Sequence, residues 1–161
     1  MPRIIKVTVY DPSWPHLYRQ EARQIVNVLT DQAILIHHIG STAIPGIKSK
    51  PIIDMLLEVR QIEIVDSFNE ALIELGYEPR GENGIPERRY FVRRNSEIHT
   101  HHLHVFQTGH KQINRHLDFR DYLRAHPDQA QAYSKLKELL AKKYIHDSVA
   151  YTEGKLSLIH I

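Results

Sequence analysis

The stretch HIGSTAIPGIKSKPIIDMLLEV, residues 38–59, places Gly40 and Ser41 at the end of one apolar run and an aspartate, Asp54, inside the next. Backbone N–H groups at such a turn can receive phosphate oxygens, and a carboxylate aimed at the same cleft can hold the Mg²⁺ that bridges a nucleotide's phosphates. A plain turn between strands fits the same residues, with Asp54 in an ion pair, because a carboxylate amid IIDMLL is costly to bury unpaired.

A second set of candidates is the histidines, twelve in all, six of them between His99 and His116. In HTHHLHVF, period-two alternation sets His102 and His104 on one strand face and His99, His101 and Leu103 on the other. Should this strand neighbour that of Asp54, two imidazoles and a carboxylate form a ligand set suited to Zn²⁺ or Mn²⁺, whereas Mg²⁺ prefers oxygen. The competing use is a hydrogen-bonded polar face in which an imidazole orients Asp54 or takes a substrate proton. His99, His101 and His110 are expected to be exposed. For an anionic ligand the cations in view are Lys48 and Lys50 in the loop, Arg88 and Arg89 leading their strand, and Lys155. Lys50 and Arg89 stand at the mouths of strands expected to border the cleft, and arginine offers the bidentate fork that suits phosphate.

These side chains need elements to position them. The β-branched run at 4–10 predicts a strand broken by Asp11 and Pro12, and the apolar spacing from Trp14 predicts a helix to residue 30. Strands are predicted at 33–40 and 50–59, the second entered at Pro51, and an amphipathic helix at 62–76 ending on Gly76. A polar loop at 80–87 leads to strands at 88–94 and 99–107, joined by a hairpin at Asn95–Ile98. Tyr90, Phe91 and Phe106 read as core. Three helices follow, at 110–125, at 127–144 with Pro127 near its start, and at 147–160 capped by Asp147. Phe119 and Leu123, four apart, form a packing pair, while Arg120 and Arg124 read as a solvated face. Helices beside a cluster of strands predict an α+β domain, one unit over residues 1–161.

Composition narrows the classes. A chain of 161 residues with 42% hydrophobic and 25% charged content is that of an ordinary globular domain. It contains no cysteine, which excludes disulfides, thiolate metal sites and a cysteine nucleophile and agrees with a reducing compartment. Without a secretory pattern or a membrane-length apolar run, a cytoplasmic location is expected. A net charge of only +2 gives no indication of nucleic-acid binding.

GSTAIPG followed by KPIID, with VYDPSWP before and HHLHVF, FRDYLRAHP (119–127) and AYTEGK (150–155) after, resembles the GrpB family essentially end to end. The resemblance implies a nucleotidyltransferase-like fold of the polymerase-β type: a mixed sheet flanked by helices, with C-terminal helices, in a family whose biochemical role is largely unassigned. It also implies a Gly-Ser pair ahead of two carboxylates at i and i+2 on one strand, with a third acidic residue on a neighbouring strand. Gly40, Ser41 and Asp54 match; the i+2 position is Leu56, which cannot ligate anything, so the chain resembles the aliphatic version of the family. Glu58 lies on the same face about 13 Å along a regular strand, too far to share one ion, and is expected as a surface charge.

Two functions compete on this reading. One is a nucleotidyltransferase-like enzyme that binds a nucleotide or other phosphorylated small molecule on Gly40 and Ser41, with a divalent metal (Mg, Mn or Zn) on Asp54, His102 and His104 and an imidazole as base. The other is a ligand-binding or partner-docking module without turnover, for which the resemblance implies a link to coenzyme A metabolism through domains fused to dephospho-CoA kinase.

Overall fold

The computed structural model describes residues 7–143. Its elements are α1 (Trp14–Leu29), β1 (Ala33–Ile39), β2 (Ile53–Val59), α2 (Asn69–Glu74), β3 (Tyr77–Pro79), β4 (Arg88–Asn95), β5 (Ile98–Gln107), α3 (Lys111–Ala125) and α4 (Pro127–Lys143). The strands form one five-stranded mixed sheet in the order β1-β2-β5-β4-β3, with β2 and β5 parallel and every other pairing antiparallel. This is the expected α+β architecture.

Alternation along β2 divides the sheet. Met55, Leu57 and Val59 turn to the face covered by α1 and form the main core with Trp14, Ile25, Leu29, Phe91, Leu103 and Val105. Asp54, Leu56 and Glu58 turn to the other face, where α3 supplies Ile113 and Leu117 over Ile39, Leu56 and Phe106. A third cluster packs Ile44 and Ile47, after the Gly-Ser turn, against Leu123, Ala130 and Tyr133 of α3 and α4. Helices α3 and α4 therefore clamp the 40–48 loop. Ser134 Oγ accepts from Lys48 N at 2.9 Å, and the buried Lys137 donates to Lys48 O at 3.2 Å.

Several expectations are corrected. Of the strand expected at 4–10, residues 4–6 lie outside the described residues and residues 7–10 contribute one bridge, Thr8 to Ser49. The helix expected at 62–76 is a 3-10 segment, Ile62–Phe68, followed by the short α2. Ile62, Val65 and Phe68 are three apart and all meet the core, so a three-residue turn buries them where a 3.6-residue turn would drift. Ile64 is left exposed. Strand β3 was unanticipated; it delivers Tyr77, 1% exposed, to the core. The helix expected at 147–160, and Lys155 with it, lie outside the described residues. Among the described residues no helix is long and apolar enough to cross a membrane.

Candidate functional site

Parallel pairing sets Asp54 opposite His102 and Leu56 opposite His104, so both histidines share the face of Asp54. His102 Nδ1 lies 3.3 Å from Asp54 Oδ1, and His104 Nε2 lies 3.6 Å from the same oxygen, just beyond hydrogen-bond length. The Asp54 side chain is 27% exposed, open enough to meet a ligand. Burial alone would raise its pKa, but the two imidazoles outweigh that and hold the carboxyl well below the usual carboxylate range. Burial lowers the pKa of His104 despite Asp54, which favours a neutral ring.

Gly40 closes against this carboxylate. Its φ is +72°, and a Cβ there would stand 2.8 Å from Asp54 Oδ2 and 3.1 Å from Asp54 Cβ. Glycine is therefore required twice, by the backbone and by the close approach. The turn continues as a 3-10 segment, Ser41–Ala43, held from several sides. His38, buried and stacked on Tyr18, places Nε2 2.9 Å from Thr42 Oγ1, which donates onward to Ile52 O at 3.2 Å. His38 Nε2 thus carries a proton and donates. Burial pushes the His38 pKa down to about 4. From α3, Arg120 donates to His38 O at 3.2 Å and Arg124 to Ala43 O at 2.9 Å. Ser41 Oγ, on a residue 6% exposed, is the one buried side-chain polar atom without a hydrogen-bond partner among the described residues.

Three residues that the sequence expectation did not place beside Asp54 join the face. Arg88, 5% exposed, faces His104 Nδ1 through Nη1 at 3.2 Å and covers the Tyr90 ring at 4.5 Å. His116 of α3 stands 5.7 Å from His104, ring to ring, and burial lowers its pKa to about 4. His99 Nδ1 approaches His102 Nε2 at 2.9 Å, although alternation had put it on the opposite face and in solvent. The cause is a bulge: Arg93 pairs with His101 but Arg94 with His99, so Thr100 is skipped and His99 turns to the side of His102. The spacing Ile113, His116, Arg120, Leu123 and Arg124 was the available signal for α3, because an inward Ile113 brings the others towards the sheet or the turn.

Other candidates are placed elsewhere. Arg89 points to the opposite face from Arg88 and holds Asp66 with two contacts, 2.8 and 3.4 Å. Lys48 pairs with Glu138 at 2.7 Å, and Lys50 is half-buried ahead of β2. Glu58 is not a surface charge: it is 8% exposed and accepts from His37 Nε2 at 2.6 Å and Thr108 Oγ1 at 2.9 Å. His101 is half-buried on the α1 face, and His110 caps α3 through Nδ1, which accepts from Gln112 N at 3.1 Å. Tyr90 is half-buried beside His102 and His104, while Phe91 and Phe106 are in the core. Two open clefts of about 400 Å³ lie away from Asp54, one lined by Glu63, Arg89 and His110 and the other by Glu21, Arg93 and His101. Of their arginines, Arg89 is engaged by Asp66, Arg93 by Glu21 and Arg94 by Glu78.

The expected three-ligand metal set does not fit this hydrogen bonding. The separations of 3.3 and 3.6 Å would span the edges of a tetrahedral zinc site, about 3.4 Å for ligands near 2.1 Å. Ligation also needs a lone pair on His104 Nε2. Arg88 has only N–H groups to offer His104 Nδ1, so the proton of the neutral ring belongs on Nε2. Among the described residues no group of three or more His, Asp or Glu side chains is arranged to hold a metal ion.

A family model described as GrpB protein matches residues 4–161. The chain is 45% identical over 153 residues to the UPF0157 protein YqkA of Bacillus subtilis, covering 95% of this chain and 44% of that protein, so it spans less than half the length of that relative. The crystal structure of conserved protein GrpB from Enterococcus faecalis superposes with a TM-score of 0.88 at 35% identity, over 96% of this chain and 98% of the other. A stretch of 115 residues is 31% identical to a dephospho-CoA kinase of Mycobacterium tuberculosis, 67% of this chain and 27% of that enzyme.

Proposed function

Since this chain belongs to the GrpB family, we propose that it binds a nucleotide or other phosphorylated small molecule on the Gly40–Ala43 turn, beside Asp54. The observation that carries the proposal is Ser41 Oγ: a buried hydroxyl without a partner is costly, and a phosphate oxygen would satisfy it. Arg124, anchored on the carbonyl of Ala43, brings to the turn positive charge that favours an anion, while Arg120, anchored on the carbonyl of His38, shares its charge with Asp121. The dephospho-CoA kinase relative supports the choice of a nucleotide, since a protein named for that substrate carries a related segment.

Asp54, kept ionised by His102 and His104, would accept the hydrogen bond of a second substrate's hydroxyl and hold it near the phosphate. Transfer in such a site comes from positioning and from neutralising phosphate charge. Leu56, 0% exposed within an apolar cluster, favours a second reading, ligand binding without turnover, because the place of a second carboxylate is filled by core.

Thermal-shift titration with ATP, dephospho-CoA and coenzyme A, each with and without Mg²⁺, tests the binding. A ligand at 100 times its Kd stabilises by about 2.7 kcal/mol, which is about 5–10 °C for a domain of this size. Ser41→Ala should shrink the shift, and by removing the orphan hydroxyl should leave the free protein as stable as before or up to about 1 kcal/mol more so. A native protein unmoved by all three ligands would overturn the binding proposal. Binding that persists in Asp54→Asn, with no product from the native protein, would select the second reading.

A further inference from the structure

Arg88 is held on both sides of its guanidinium. Nε donates to Glu82 O at 3.1 Å and Nη2 to Asn83 O at 2.9 Å, while Nη1 faces His104 Nδ1 at 3.2 Å. The loop that provides the two carbonyls has positive φ at Gly81, Asn83, Gly84 and Glu87, a conformation that glycine and asparagine tolerate but that is unfavourable for Glu87. A loop shaped at that cost fixes a guanidinium against one ring nitrogen.

We propose that Arg88 is a positioning residue that locks His104 as the Nε2–H tautomer, making the Asp54 site a hydroxyl-binding centre that excludes a divalent metal. The reasoning is one of donors and acceptors. Arginine has five N–H donors and no acceptor, and it stays charged, so Nδ1 must accept. The ring proton of His104 then faces Asp54 from Nε2, where a metal would need a lone pair. His102, His116 and Tyr90 are the other titratable groups around His104, and burial among them opposes a doubly protonated ring. The proposal deepens the reading of this site as one for a phosphorylated ligand and an acceptor hydroxyl, and it gives the reason why His104 serves as a donor there.

Long-range ¹H–¹⁵N correlation spectra of the ¹⁵N-labelled protein at neutral pH read the tautomer directly. The native chain should show His104 protonated at Nε2 and bare at Nδ1, and Arg88→Lys, which keeps a donor, should retain that pattern. Arg88→Met should shift the proton towards Nδ1 and raise Zn²⁺ affinity, measured by calorimetry, by about tenfold or more, the low end for losing a hydrogen bond to a charged group. Adding Asp54→Asn should abolish the gain. A native His104 protonated at Nδ1, or native Zn²⁺ binding that is as tight as in Arg88→Met and is lost in Asp54→Asn, would overturn the proposal. The native spectrum decides even if Arg88→Met fails to fold. Neither the spectra nor the Zn²⁺ titrations depend on a nucleotide, so failure here is distinct from failure of the nucleotide titration.

Discussion

Gly40→Ala probes the tightest contact in the candidate site. The new methyl would meet Asp54 Oδ2 at 2.8 Å and Asp54 Cβ at 3.1 Å, against a relaxed carbon contact of about 3.5–4.0 Å. The backbone at φ +72°, ψ −172° is in a region essentially reserved for glycine and costs any other residue about 1–3 kcal/mol. Relieving the contact means swinging the carboxylate away from His102 and His104, which forfeits a charge-assisted interaction worth about 1.5–3 kcal/mol. The expected destabilisation is about 3–5 kcal/mol, a large part of the 5–15 kcal/mol of a typical domain. Urea denaturation of the native chain, Gly40→Ala, Asp54→Ala and the double variant separates the two parts, because Asp54→Ala removes the oxygen but leaves the backbone strain. Coupling of about 1–2 kcal/mol is expected between the sites. A Gly40→Ala cost below about 0.5 kcal/mol, the size of an ordinary surface change, would refute the geometry, and so would strictly additive variants.

Leu56→Asp, which puts a carboxylate two residues after Asp54, should cost about 3–5 kcal/mol, since an unpaired charge would enter the cluster of Ile39, Phe106 and Ile113; a melting scan reads this, and an unchanged melting temperature would contradict it. His38 has its pKa lowered from 6.5 to about 4, so the unfolded chain takes up the proton first and stability is whole above about pH 6.5 and falls as the pH drops towards 4. Between pH 7 and 4.5 this share is about 2–3 kcal/mol, and His38→Gln should lose that much less stability over the same interval in urea titrations. An identical pH dependence in the variant would remove His38 from the account. Replacing Glu58 by Leu should cost about 1–3 kcal/mol, because His37 and Thr108 would lose their shared acceptor; urea titration measures this, and a change within about 0.5 kcal/mol would show that neither needs it.

The sequence made the strands of the site legible because alternation is a local property. His102 and His104 could be put on one face of their strand before any coordinates, but that Asp54 shares that face needed the register of β2 with β5, which sets Asp54 opposite His102. The bulge at Thr100 was not legible, since nothing in HTHHLHVF marks a skipped residue, and it decides where His99 points. Arg88 and Arg89 differ by one residue and therefore by a face; only the pairing of Arg88 with Phe106 and of Tyr90 with His104 settles which one meets the histidines. Apolar residues at 62–76 fitted a helical face, yet the core selected the three-residue period of Ile62, Val65 and Phe68. The roles of Arg120, Arg124 and His116 depend on how α3 docks, a tertiary fact that charge alone reads as solvent exposure.

The proposed phosphorylated ligand sits on the Gly40–Ala43 turn beside Asp54. Amide chemical-shift mapping during titration with ATP tests that most directly. The predicted result is a set of saturable shifts centred on Gly40, Ser41, Thr42 and Asp54 and extending to His102 and His104. Shifts confined to the cleft of Glu63, Arg89 and His110, or a spectrum that does not move, would contradict it.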